Sequence, residues 1–127
     1  MAVEIERKFL VRSEAWRGLV THKASLRQAY PISVLDAEAL VSLRLSGLIE
    51  KTRFTVPWHP HCWEVDVFRG DNEGLVIAEI ELRHENESFD RPSWLGIEIT
   101  GQSQYYNGSL ARHPFRLWAT SPSAAAG

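Results

Sequence analysis

Three segments of this chain share one alternation, and together they restrict the folds open to it. Glu4 and Glu6 flank Ile5, Glu64 and Asp66 flank Val65, and Glu79 and Glu81 flank Ile80. At period two each segment is a strand with two carboxylates on one face and apolar side chains on the other. Same-face neighbours on a strand lie about 6.6 Å apart, where two unit charges repel by about 2.5 kcal/mol at an effective dielectric of 20. On the outside of a sandwich, water and salt would screen that repulsion and no function would follow. Its recurrence on three strands favours a sheet curled so that the polar face lines a tunnel and helices cover the apolar face.

The rest of the chain supplies the elements around these strands. Val3 to Val11 alternates throughout, with Arg7 interrupting the apolar face. A turn or single helical turn is expected over Ser13 to Arg17, and a short strand over Leu26 to Tyr30. Leu35 to Leu45 has apolar residues at helical spacing, Asp36 and Glu38 near its start and Gly47 beyond its end, which predicts an amphipathic helix. Leu48 to Val56 returns to period two and carries Lys51 and Arg53 on one face, and Pro57 to His61 breaks the pattern. Strands follow over Trp63 to Phe68 and Leu75 to Leu82, joined across Gly70 to Gly74 as a hairpin. A last short strand is expected over Ile97 to Thr100 and a helix over Gln104 to Ala111. Residues 1–118 are expected to form one domain and 119–127 a disordered tail.

Charge is divided along the chain. Residues 1–63 hold nine Lys/Arg against six Asp/Glu, whereas residues 64–98 hold three Arg against ten Asp/Glu. The formal total of −2 therefore conceals a basic half and an acidic stretch, and gives no overall pull toward nucleic acid or a membrane surface. With no apolar run of membrane-spanning length and a charged N-terminus, the expected location is the cytoplasm. Cys62 is the single cysteine, so the fold is expected to rest on its core rather than on a disulfide.

Carboxylates converging in a tunnel are hard oxygen donors, suited to Mg²⁺ or Mn²⁺, and Lys8, Lys51 and Arg53 would form the anion-binding side of the same cavity. Cation-binding and phosphate-binding groups together suit a phosphorylated ligand carried with its metal. Phosphoryl transfer in such a site proceeds by positioning and charge neutralisation.

The segments EIERKFLV from Glu4, IEKTRF from Ile49, WEVDVF from Trp63, GLVIAEIEL from Gly74, WLGIEIT from Trp94 and YYN from Tyr105 follow in that order. This series resembles the CYTH superfamily of triphosphate tunnel metalloenzymes, and among them the short bacterial inorganic triphosphatases. The resemblance implies an α+β fold: an antiparallel tunnel barrel with flanking helices, here short of some middle strands. Those strands would fall between Tyr30 and Pro31 and would carry an Arg-x-Arg pair and a Lys. It implies that Glu4, Glu6, Glu79 and Glu81 hold the divalent metal, with Asp66 and Glu64 adding to the acidic side. Lys51 and Arg53 would bind the triphosphate. Lys8 would contact phosphate or, paired with Tyr30, activate the attacking water. The implied activity is metal-dependent hydrolysis of inorganic tripolyphosphate or an organic triphosphate, by a monomer or homodimer whose partner is the small-molecule substrate. A non-catalytic phosphate- or polyphosphate-binding module and a class IV adenylate cyclase are the alternatives.

Other motifs carry less. His59, His61 and Cys62 have zinc-type donors but lack a fourth placed ligand, and read as a loop. Asp71 to Gly74 lacks the remaining positions of a calcium loop and reads as a turn. The five tryptophans, Trp16, Trp58, Trp63, Trp94 and Trp118, are scattered and read as packing residues.

Overall fold

The computed structural model describes residues 4–30 and 47–118. Six strands form one antiparallel sheet: β1 (Ile5–Val11), β2 (His22–Ala29), β3 (Leu48–Trp58), β4 (His61–Arg69), β5 (Val76–Leu82) and β6 (Leu95–Glu98). Their spatial order is β2-β3-β4-β5-β1-β6. The order leaves β2 and β6 at opposite ends, and among the described residues these two strands do not pair with each other. The helix expected over 35–45 and the tail over 119–127 lie outside the described residues. No helix among the described residues is long and apolar enough to cross a membrane.

Period-two alternation divides this sheet into two unlike faces. One face carries the larger core, in which Phe9, Val56, Trp63, Val65, Ala78, Ile80 and Leu82 are buried with Trp16 and Trp94 from the flanking segments. Trp63 lies edge-on to Phe9 and to Trp94, with centroids 5.6 and 5.7 Å apart. Such aromatic pairs add to the area they bury, and truncating a side chain of this kind costs about 3–5 kcal/mol. Arg7, which breaks the apolar pattern of β1, is accommodated here as an ion pair. Its Nε and Nη2 donate to Glu98 at 2.8 and 2.6 Å, and its guanidinium lies 4.9 Å from the Phe89 ring centroid. The hydrogen bonds to Glu98 raise the Arg7 pKa, and the same bonds hold the Glu98 carboxyl below its usual range.

The opposite face is polar except at one end. There Ile49, Phe68, Leu75, Ile77 and Ile99 pack against Leu110 and Ala111 of α1 (Asn107–Arg112). The turn joining β4 to β5 is tied to this end, because the buried Asn72 side chain accepts the Phe115 N–H at 2.8 Å.

Several boundaries differ from the pattern of the sequence. Pro57 lies inside β3, where it pairs with Cys62, and only His59 and Pro60 connect β3 to β4. His61 and Cys62 are therefore strand residues, not loop. The helical turn after β1 is a 3-10 turn at Ala15–Leu19, with Trp16 buried. β2 begins at His22, four residues before the apolar signal at Leu26, because its pairing is set by β3 rather than by its own hydrophobicity. The last strand is Leu95–Glu98 rather than Ile97 to Thr100: a bulge opposite Phe9 and Val11 shifts the register, and Thr100 bonds to β1 through its side chain. The C-terminal helix is shorter than its signal. A 3-10 turn over Ser103–Tyr105 precedes it, and Tyr106, extended at ψ 145°, separates the two. Asn107 and Gly108, weak helix formers, open α1.

Candidate functional site

The polar face is built from alternate residues of four strands: Glu6 and Lys8 of β1, Glu79 and Glu81 of β5, Glu64 and Asp66 of β4, and Lys51 and Arg53 of β3. The register fixes their neighbours. Glu6 is directly opposite Glu81 and Lys8 opposite Glu79, while Glu79 is also opposite Glu64 and Asp66 opposite Arg53. The face is therefore graded, from the apolar end under α1, through a group of ion pairs, to a rim of carboxylates.

The ion pairs centre on Asp66, which is 1% exposed. Lys51 Nζ reaches one of its oxygens at 2.8 Å. Arg53 donates to both, from Nε at 2.8 Å and Nη2 at 3.0 Å. Burial opposes ionisation of Asp66, but the Arg53 hydrogen bonds and the Lys51 charge and hydrogen bond outweigh it and hold the carboxyl below the usual range. The Arg53 pKa is raised, chiefly by its hydrogen bonds to Asp66 and against the effect of burial. Lys51 is itself 3% exposed, with Nζ 5.2 Å from the Phe68 ring centroid and 3.5 Å from Asn107 Oδ1. Arg53 keeps 31% of its side chain exposed and has Glu64 3.4 Å from Nε.

At the rim carboxylates predominate. Glu6 against Glu81 and Glu79 against Glu64 are like-charge pairs directly across strands, an arrangement that is unfavourable unless a cation intervenes. Lys8 relieves one of them, with Nζ 3.0 Å from Glu79. Glu81 has no such partner among the described residues. Its carboxyl is pushed up first by the charge of Glu4, then by burial and by Glu6, Glu64 and Glu79. Glu4, Glu6, Glu64, Glu79 and Glu81 thus share one field, and their hard oxygen donors fit a divalent cation in chemistry. Among the described residues no three such side chains already surround one point. A groove of about 240 Å³ runs between Thr55, Cys62, Glu64, Glu79 and Glu81. Through Cys62 and Glu81 it meets a wider cleft lined by His61, Arg83, His84 and Glu87.

All of the residues expected to bind metal or phosphate or to catalyse, except Glu4 and Tyr30, lie within these four strands and on this face. Glu4 precedes β1 and is exposed, and reaches the group through its charge on Glu81. Tyr30 lies beyond the end of β2, its hydroxyl donating to Gln28 at 3.0 Å and its N–H to the Gly47 carbonyl at 2.7 Å. The tyrosine beside Lys8 is Tyr106, whose ring centroid is 5.8 Å from Nζ. Asn107 and Tyr106 carried no role in the sequence beyond the YYN motif, and that motif was the available signal for both. The zinc-type donors do not gather: His61 Nε2 is 2.6 Å from Glu87 Oε2. Burial and the charge of Glu64 push the Cys62 thiol up.

Comparison with known proteins shows what the chain as a whole resembles. No protein-family model matches the chain. It is 44% identical over 101 residues to an inorganic triphosphatase of Acetivibrio thermocellus, covering 79% of this chain and 65% of that protein. It is 28% identical to an inorganic triphosphatase of Nitrosomonas europaea, covering 85% of this chain and 96% of that protein. The crystal structure of the inorganic triphosphatase NE1496 superposes with a TM-score of 0.67 at 26% identity, over 87% of this chain and 95% of that one. The chain is therefore similar in sequence and fold to short bacterial triphosphatases, and it spans 65% of the length of the Acetivibrio protein. The Nitrosomonas alignment runs over 147 positions against the 127 residues of this chain, so part of that relative has no counterpart here.

Proposed function

We propose that this protein is a divalent-metal-dependent triphosphatase acting on inorganic tripolyphosphate or an organic triphosphate, with the polar face of the sheet as the inner wall of a tunnel. The observation that carries the reading is the division of that face, with Lys51 and Arg53 around Asp66 on one side and, on the other, two opposed like-charge carboxylate pairs with Lys8 among them. Two relatives named inorganic triphosphatase support it.

In this reading Glu4, Glu6, Glu64, Glu79 and Glu81 would hold Mg²⁺ or Mn²⁺, which supplies charge neutralisation to the phosphate oxygens. Arg53, part-exposed and next to Glu64 of the carboxylate groove, would hold the triphosphate beside it. Lys8 would contact a phosphate oxygen. With tripolyphosphate, water adds to the terminal phosphorus, the bridging P–O bond breaks with its electron pair going to the leaving pyrophosphate, and the proton of the water passes to the pyrophosphate oxygen or to solvent. Tyr30 would pair with Lys8 in this reading, exchanging its hydrogen bond to Gln28 for one to the amine.

The test incubates the protein with tripolyphosphate, thiamine triphosphate and ATP, with and without Mg²⁺ or Mn²⁺, and measures orthophosphate and cyclic AMP. Metal-dependent release of orthophosphate is expected. A second reading, a non-catalytic phosphate-binding module, is favoured by the unmatched part of the Nitrosomonas relative and by the burial of Lys51. Saturable binding with no turnover of any substrate would select it, and cyclic AMP from ATP would select a cyclase.

A further inference from the structure

The expected roles of Lys51 as a phosphate ligand and Asp66 as a metal ligand do not follow from their positions. Both are buried, at 3% and 1% exposure, and each is the other's partner at 2.8 Å. Arg53 alone of the three is part-exposed, at 31% of its side chain, and it adjoins the groove through Glu64, a lining residue 3.4 Å from its Nε. Its Nε and Nη2 are engaged by Asp66, and Nη1 makes no hydrogen bond among the described residues. An aspartate beneath an arginine fixes the guanidinium but cancels its charge. The Lys51 ammonium behind Asp66 cancels that carboxylate in turn, so the triad shows one net positive charge, and shows it through Arg53. The Asn107 side chain and the Phe68 ring hold the ammonium in place from its other sides.

We infer that Lys51 and Asp66 are a positioning pair for Arg53: Asp66 fixes the guanidinium, Lys51 preserves its charge, and Arg53 is the one member of the triad that touches the triphosphate. This rests on the reading of the polar face as a triphosphate site. It assigns Asp66 no metal and Lys51 no phosphate contact.

The two roles separate in a pair of variants, Lys51→Met and Lys51→Met/Asp66→Asn, neither of which strands a buried charge. Lys51→Met leaves Asp66 cancelling Arg53, and metal-free calorimetry with tripolyphosphate should show binding weakened about tenfold. Removing Asp66 as well restores the net charge, and the affinity should return toward wild type, a non-additive cycle. Turnover by the double variant should fall about 100-fold, because the guanidinium is no longer held in place. The Mg²⁺ concentration giving half-maximal activity should be the same in all three proteins. Affinity that stays weak in the double variant would mean that Lys51 touches phosphate itself, and a raised Mg²⁺ requirement would mean that Asp66 ligates metal; either overturns the inference. A wild type that binds tripolyphosphate without hydrolysing it fails the triphosphatase reading alone, and the affinities then decide the inference. A wild type that does not bind it fails both.

Discussion

Glu81 is the carboxylate on which the like charges of the rim converge. It faces Glu6 across the strands and feels Glu4, Glu64 and Glu79, so its ionised form is disfavoured in the folded protein. A divalent cation that binds the folded state and not the unfolded one raises apparent stability by mass action. Adding Mg²⁺ should therefore raise the melting temperature of the wild type. Glu81→Gln should melt no lower than wild type without metal and should lose most of the metal-induced rise, as scanning calorimetry would show; an undiminished rise would place the cation elsewhere. Asp66 has the opposite sign. Its folded carboxyl lies below the usual value, near 3.9 for an unfolded aspartate. The stability it contributes is complete above about pH 4 and is lost as the pH falls through the folded value. Glu98, held down by Arg7, acts in the same direction, whereas Glu81 acts against it. Melting temperature followed from pH 6 to pH 2 should fall more steeply in the wild type than in Lys51→Met/Asp66→Asn, and parallel curves would argue against the Asp66 pairing.

At the scale of elements, β1 is the strand on which the two faces depend. Glu6 and Lys8 point to the site while Phe9 anchors the core, and β1 takes β5 on one side and β6 on the other. β6 approaches closely at its glycine: a Cβ on Gly96 would sit 2.8 Å from the Leu10 carbonyl oxygen. Gly96→Ala should cost about 1–3 kcal/mol in chemical denaturation, the scale of an overpacked contact, and an unchanged midpoint would show that β6 can shift without loss. The alternating strands were legible in the sequence because one face of each meets a dry core, and Trp63, Val65 and Ile80 mark that face without ambiguity. β2 was only half legible, since most of its residues are exposed and its extent follows its pairing with β3. β6 was misplaced by two residues, because a bulge leaves no trace in hydrophobic period.

On the scale of the whole molecule, the sequence disclosed which face carries charge but not which charges pair. Period two places Lys51, Arg53, Glu64 and Asp66 on one face. It does not say that Asp66 is enclosed between two cations while Glu81 is left facing Glu6. That distinction needs cross-strand register, which depends on hairpin geometry and long-range pairing. Arg7 illustrates the same limit: as a break in an apolar strand it is an anomaly, and only Glu98, brought beside it by β6, accounts for it. The net charge of −2 thus hides a separation maintained by the sheet, with paired cations toward the α1 end and a rim in which carboxylates outnumber cations. The central claim is that these two sides work together on a triphosphate. The most direct test is orthophosphate release from tripolyphosphate at saturating Mg²⁺ by the wild type and by Glu6→Gln, with folding checked by circular dichroism. Turnover by the wild type that depends on Mg²⁺ and is abolished in a folded Glu6→Gln is the predicted result; turnover preserved in that variant would contradict it, and would mean that the carboxylate rim is merely solvated.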